Sequence, residues 1–533
     1  MNKLAKVTAF LFKLLVVLSV PVLTIVISYP FRLKYRVITA GLAFLIIIFL
    51  FIIKKPKFEE LKFKEIGIIF LISSYIDKLL MNLYSIKIEK VIKLIFKYTE
   101  MKLGYNTVHL AISFAIFFAI CFYVYLFVTK IWPLIVDFFK NLSKGEKAFI
   151  TITSIIASVI CLLVVYNTKA FGATDLTFNY DVIYSADSSA LVKGDAWFKI
   201  PNPENDIRQP LFGVFSFPFA VAAHFVADIL FFVPKQFAYE YVMMVIQYVV
   251  LAATIILFAR LIEEKEENRK YVYLLFGLSF PYLLFGLILE QYVLGLFYLA
   301  LCIYAITKKK KYEEYAFIGA TGSLATSGIL ILDNNWKDIK KTVVRILRIV
   351  LLAIIIAVLS GQFVIVFNLP KQINDLFRFT ANHLPFGTRV DQYLYFVRSL
   401  FVAPHGRIIY DNLFTPLKFP SYQLPYISSV SKIGIIALVV MFISLIKNRK
   451  DKISILSFLW ILFSFVILCV GGWGTYENGL ILYSLYFSWA FYTLFYRLLK
   501  NKKWLLIPIV AFLVLNAIEI YHIINFAISY YAR

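Results

Sequence analysis

Acid is scarce in this chain. Only 31 Asp and Glu stand against 55 Lys and Arg in 533 residues, and charged residues of both signs make up 16%. Cysteine is scarcer still. Cys121, Cys161, Cys302 and Cys469 all fall inside apolar runs, with no CxxC spacing and no Cys/His cluster. That leaves no support for a disulfide framework or a zinc site. No Ser-His-Asp or HExxH signature occurs. Gly319, Gly322 and Gly328 do not form a phosphate loop, because no Lys-Ser/Thr follows them and no strand precedes. Small residues there suit close helix packing instead. The first apolar run, residues 8–29, is too long for a signal-peptide core and lacks a small-residue cleavage site, so it is expected to be retained as a helix.

What is abundant is apolar side chain. Hydrophobic residues make up 61% of the sequence, and the mean hydropathy is +0.81. A run of about 20 apolar residues spans the roughly 30 Å hydrocarbon core as a helix. A helix also satisfies its own backbone where no water can. The pattern predicts an all-α polytopic membrane protein with about twelve or thirteen transmembrane helices. Its net charge of +24 has a membrane explanation, because Lys and Arg cluster in short turns where they fix orientation. No nucleic-acid partner is expected; membrane lipids are.

The turns at 54–65, 260–270, 308–312, 447–452 and 496–503 are basic and read as cytoplasmic. The segments 167–210, 471–478 and 367–427 then fall outside. Residues 211–233 are long enough to span, yet a crossing there would carry the charged "RLIEEKEENRK" to the outside. A helix along the external interface is expected instead. Residues 314–332 precede the basic "KDIKKTVVRILR" and suit a short re-entrant pair. In 85–100, Ile88, Val91, Ile92, Ile95 and Phe96 share one helical face and Lys87, Lys90, Lys93 and Lys97 the other, the pattern of an interfacial amphipathic helix. The expected organisation is therefore N-terminal transmembrane and amphipathic helices over 1–140, and a transmembrane core over 141–366 with an external acidic loop at 167–237. An external loop over 367–427 and C-terminal transmembrane helices over 428–533 follow.

The acids that exist are concentrated. Asp175, Asp181, Asp187, Asp195, Glu204 and Asp206 lie in one loop, beside only Lys169, Lys193, Lys199 and Arg208. Asp181 and Asp187, in "NYDVIYSADSS", are the candidate general bases, since a carboxylate at an apolar boundary gains proton affinity. Loop acids are also often merely solvated, and Asp187 could cap a helix before "SSALV". Glu290 lies between two apolar runs, where an acid is costly unless it faces a cavity or partner; a helix-turn acid at the water surface is the bland alternative. Glu477, after the glycines of "GGWGTYEN", opens a helix whose dipole favours negative charge. Both are candidate substrate contacts. The 367–427 segment carries Arg378, His383, Arg389, Arg398, His405 and Arg407 among many aromatics. Arginine's planar fork suits phosphate, although headgroup contact by snorkelling would look the same.

The order of these parts resembles the GT-C superfamily of membrane glycosyltransferases, of the protein mannosyltransferase and aminoarabinose transferase type. The likeness lies in the acidic loop, the element Arg208-Gln-Pro210-Leu211, and the helix ending in Ala259-Arg260-Leu261. It continues through "LEQYVLGLFYLALCIYAITKKKK" and "GATGSLATSG" and covers residues 145–365. The tight acid pair of that family is absent, Asp181 and Asp187 standing six apart, and about five helices precede the loop instead of one. The resemblance implies a GT-C-like fold and transfer of a sugar from a polyprenyl-phosphate donor to an envelope glycan, lipid or protein acceptor. The active site would face outward from a bacterial plasma membrane. Arg208, Arg389, His405 and Arg407 would hold the donor phosphate, while Asp181 or Asp187 takes the acceptor proton. The residues neither require nor exclude a divalent metal. A lipid-linked glycan polymerase or ligase of another fold is an alternative, as is a transporter or flippase. A transporter should carry ionisable residues near helix centres, where His109 and His522 are the main candidates.

Overall fold

A computed structural model describes residues 3–28, 31–54, 63–99, 105–171, 182–184, 186, 197, 207–332, 339–376, 380–381, 384–410, 420–424, 430–474, 479–499 and 501–533. Among these the chain is almost entirely helical, with one two-stranded antiparallel sheet. Ten helices are long and apolar enough to cross a membrane, or up to eleven if a pair bent by 65° between Gly277 and Phe280 counts as one span. Among the described residues this falls short of the expected twelve or thirteen. Several apolar runs form shorter pieces, such as Tyr292–Thr307 and the sequence Glu313–Ser323 followed by the tight turn Ala325–Leu332. The chain divides into two compact units.

The first unit comprises residues 1–142, 198–217 and 331–370. Its helices Lys3–Ile27, Leu33–Phe49, Phe63–Thr99 and Tyr105–Leu126 pack on one another, and Ile339–Leu359 joins them. Ser19, Ala40, Ala43 and Ala119 are buried there, and small side chains let apolar helices approach where no hydrophobic force separates protein from lipid. Buried hydroxyls return to their own helix, as Thr24 does to the Val20 carbonyl at 2.9 Å. The buried Arg36 donates Nε to the Ile25 carbonyl at 2.9 Å.

Residues 85–99 continue one 37-residue helix, Phe63–Thr99, about 55 Å long at 1.5 Å per residue. Ile88 and Ile92 of the expected apolar face are buried within the protein. Lys90 and Lys93 remain exposed.

The second unit comprises residues 143–197, 218–330 and 371–533. Its centre is Lys235–Ile262, flanked by Lys144–Asn167 and Tyr292–Thr307. The two ends of this bundle are defined by polar ties. At one end Ser143 and Glu146 form a reciprocal capping box. Glu146 there also accepts from Arg260 Nε at 2.7 Å and Nη2 at 2.6 Å, with Arg269 at 3.3 Å. Tyr496 donates to Glu263, and Arg497 lies 3.4 Å from Asp451. At the other end Arg533 donates its backbone N–H to the Asn167 carbonyl and its guanidinium to the buried Glu240, at 3.1 and 2.7 Å.

These ties put the basic turns 260–270, 447–452 and 496–503 at one end and Asn167 and Lys235 at the opposite one. Both Asn167 and Lys235 thus lie at one end of the unit. Phe212–Ile229, between them in sequence, is an 18-residue apolar helix.

The largest departure concerns 367–427. It is not simply a loop. Phe386–Phe401 is a 16-residue helix whose Tyr393, Phe396, Val397 and Leu400 are buried, packed against Lys432–Lys447 and Ser484–Leu498. The contact is close: a Cβ added at Gly434 would collide with the Leu394 backbone carbonyl. The chain then turns at Val402 and returns as strand β1, Arg407–Ile409, paired with β2, Ser421–Gln423. The expected small-residue segment is also packed, since a Cβ at Gly319 would stand 2.6 Å from the Tyr298 ring.

Candidate functional site

One buried acid with four polar partners is not among the candidates drawn from the sequence. Glu519 lies within Leu506–Tyr531, a helix apolar along most of its length. Its side chain is 5% exposed. Both carboxylate oxygens accept hydrogen bonds. Oε1 takes the Tyr422 hydroxyl at 2.7 Å, the Gly406 backbone N–H at 2.9 Å and the Tyr184 hydroxyl at 3.1 Å. Oε2 lies 3.0 Å from His405 Nδ1. A buried carboxylate is tolerable only when its lone pairs are met by donors, and here four donors converge. Burial, followed by the charge of Glu519, pushes the Tyr184 hydroxyl well above the ordinary tyrosine range. Burial and the hydrogen bond to Glu519 do the same to Tyr422. Both hydroxyls therefore stay protonated and keep donating.

Backbone geometry fixes these donors. Tyr422 sits in β2, and its N–H and carbonyl bond to the Val182 carbonyl and the Tyr184 N–H at 2.7 and 2.9 Å. A piece of the acidic loop is thus added beside the hairpin. Tyr184 takes positive φ, 48°, an uncommon backbone state for a non-glycine residue, and its side chain is fully buried with the ring edge-on to Tyr422 and Phe280. Nearer the start of the helix, Asn516 accepts the Ala403 N–H at 2.9 Å. It also donates to the Phe401 and Leu278 carbonyls, both at 3.2 Å. One side chain therefore ties the turn after Phe386–Phe401 to the break between two short helices.

His405 shows its other face outward: its side chain is 74% exposed. The His522 ring stands 5.3 Å away, edge to face, one helical turn beyond Glu519. Arg407 is exposed two residues on. Glu519 lies twelve residues before Tyr531, about 18 Å along the helix. Tyr531 marks the same end as Asn167, since its carbonyl accepts from Thr168 Oγ1 and the Lys169 N–H at 3.0 and 2.8 Å.

The expected site residues are distributed as follows. Asp181, Asp187 and Glu477 lie outside the described residues; Val182, next in sequence to Asp181, is buried. His405 belongs to the Glu519 cluster, and Arg407 is exposed two residues further along the chain. Arg389 is not part of the cluster. It lies at the start of Phe386–Phe401, about 18 Å of helix from Phe401, beyond which the chain runs on to His405, and donates to the Val470 carbonyl at 2.8 Å. Arg208 is half-buried in the turn before Phe212 and belongs to the first unit. Glu290 is buried, not a surface acid. Its backbone N–H donates to Gln247 Oε1 at 3.1 Å, and Gln247 Nε2 binds the Phe285 and Ile288 carbonyls, so this acid sits in a clamped turn between two helices. Among the described residues no group of three or more His, Cys, Asp or Glu is placed to hold a metal ion.

No family model, curated protein or solved structure matches the chain.

Proposed function

We propose that the protein is a membrane glycosyltransferase that moves a sugar from a polyprenyl-phosphate donor to an acceptor at the outer face of the membrane. One observation carries the reading: Tyr184 of the acidic loop and His405 of the cationic segment meet on one buried carboxylate, Glu519. Acid for an acceptor and cations for a phosphate thus belong to segments that the fold ties together. In the reaction the sugar C1–O bond to phosphate breaks and a C1–O bond to the acceptor hydroxyl forms. The acceptor proton passes to Asp181 or Asp187, and the lipid phosphate departs with its charge met by His405 and Arg407. Purified protein in lipid, incubated with a panel of polyprenyl-phosphate sugars, should transfer label to a glycan, lipid or peptide acceptor; no transfer from any donor would count against it.

A carrier is the second reading, because Asn516 and Glu519 place polar groups mid-helix beside two chain breaks, a pattern that transporters use. Solute uptake into protein-loaded vesicles without sugar transfer would favour it.

A further inference from the structure

We infer that Glu519 is a positioning residue that holds His405 in one tautomer and so presents its Nε2 to the phosphate of a polyprenyl phosphate. The ligand in this inference rests on the proposed function; the carboxylate–imidazole pair does not.

The geometry carries it. Glu519 Oε1 is engaged by three donors, Tyr184, Tyr422 and the Gly406 N–H, which locks the carboxylate plane. Oε2 is then left facing His405 Nδ1 at 3.0 Å. A carboxylate that accepts at Nδ1 requires the proton on that nitrogen. In the neutral ring Nε2 is consequently the free lone pair; in the charged ring it is an outward donor. The imidazole side chain is 74% exposed while the carboxylate is 5% exposed, so the pair has one buried partner and one accessible atom. A buried carboxylate held on an exposed imidazole fixes the ring's orientation and tautomer, as second-sphere carboxylates do for histidine generally.

Among the described residues, the titratable groups facing His405 are Glu519 and His522, with Tyr184 and Tyr422 behind Glu519 and Arg407 two residues along the chain.

The placement also argues for a specific anion over an ordinary headgroup. Tyr410 and Tyr530, joined through their hydroxyls at 3.1 Å, stand at the end of the helix. Glu519, which holds His405, lies eleven residues back along that helix, about 16 Å. A phosphate at Nε2 would thus sit beside apolar helices, which suits a lipid phosphate whose chain runs along them.

The test is histidine NMR on the full-length protein in nanodiscs, with His405 assigned by His405→Gln. The neutral ring should carry its proton on Nδ1. Glu519→Gln keeps the size and three acceptor contacts but can set an amide donor against Nδ1 in place of an acceptor, and should move the neutral ring's proton to Nε2. Adding a long-chain polyprenyl phosphate should shift the wild-type His405 Nε2 resonance, with little response to phosphatidylglycerol or inorganic phosphate. A proton on Nε2 in the wild type, or an unchanged tautomer in Glu519→Gln, overturns the positioning role. An equal response to phosphatidylglycerol or inorganic phosphate, or none to polyprenyl phosphate, overturns the ligand. None of these readouts depends on sugar transfer, so failure of the enzyme reading is scored separately.

Discussion

Glu146 and Arg260, 114 residues apart, form a two-point ion pair at 2.6 and 2.7 Å that closes one end of the second unit. The Glu146 side chain is almost fully buried, and Arg269 is its second cationic partner. Removing one partner of such a pair leaves an uncompensated buried charge, which costs about 3–5 kcal/mol. Arg260→Ala should therefore reduce folded yield sharply. Exchanging Arg269, the longer contact, for Ala should cost less. Thermal unfolding in detergent checks the order; equal stability of both variants would mean that the pair is solvated.

Glu519→Ala strands the hydroxyls of Tyr184 and Tyr422 and the Gly406 N–H. A buried donor left unsatisfied costs about 1–3 kcal/mol, so the loss should be several kcal/mol. Glu519→Gln, which still accepts on one oxygen, should be much milder. Melting temperatures of the two variants measure this directly. If Ala and Gln melt together, Glu519 does not anchor the hairpin.

Glycine makes opposite predictions at two sites. Gly434→Ala places a Cβ on the Leu394 carbonyl, and the helices must part at a cost of about 1–3 kcal/mol. Gly41 lies within Leu33–Phe49, and a Cβ added there would meet nothing within 4 Å. Gly41→Ala should therefore stabilise by about 0.5–1 kcal/mol through helix propensity. A stability scan of both variants should show opposite signs.

The two ends of the second unit should lie on opposite sides of the membrane. In a cysteine-free background, an impermeant thiol reagent applied to intact cells should label Lys169→Cys and spare Lys265→Cys. Strong labelling at 265 with none at 169 would reverse the orientation.

Much of the fold is legible in the sequence, and the departures have physical causes. The basic turns are readable because orientation is written in local Lys and Arg composition. Arg260 stands out in its turn, but 114 residues of sequence separate it from its partner Glu146. Phe386–Phe401 resembles loop because Arg389, Asp391 and Arg398 interrupt its hydropathy. Its buried set, Tyr393, Phe396, Val397 and Leu400, nevertheless recurs at helical spacing. The 85–100 stripe is amphipathic in sequence, yet composition alone does not say whether lipid or protein covers such a face. Glu519 carries the clearest unused signal, a lone carboxylate in "LNAIEIYHII", where the cost of a charge in an apolar helix demands a partner. His522, one turn on, is conspicuous for the same reason but does not by itself point back to Glu519.

The proposed reaction requires an external carboxylate to activate an acceptor while His405 and Arg407 hold a lipid phosphate. The most direct measurement is single-turnover sugar transfer from a polyprenyl-phosphate donor in proteoliposomes, comparing wild type with Asp181→Asn, Asp187→Asn and His405→Gln. Transfer should fall by about a hundredfold or more in one of the aspartate variants, the usual loss when a general base is removed, with donor binding unchanged. His405→Gln should instead weaken donor binding. Wild-type levels of transfer in both aspartate variants, with unaltered donor binding in His405→Gln, would contradict the account.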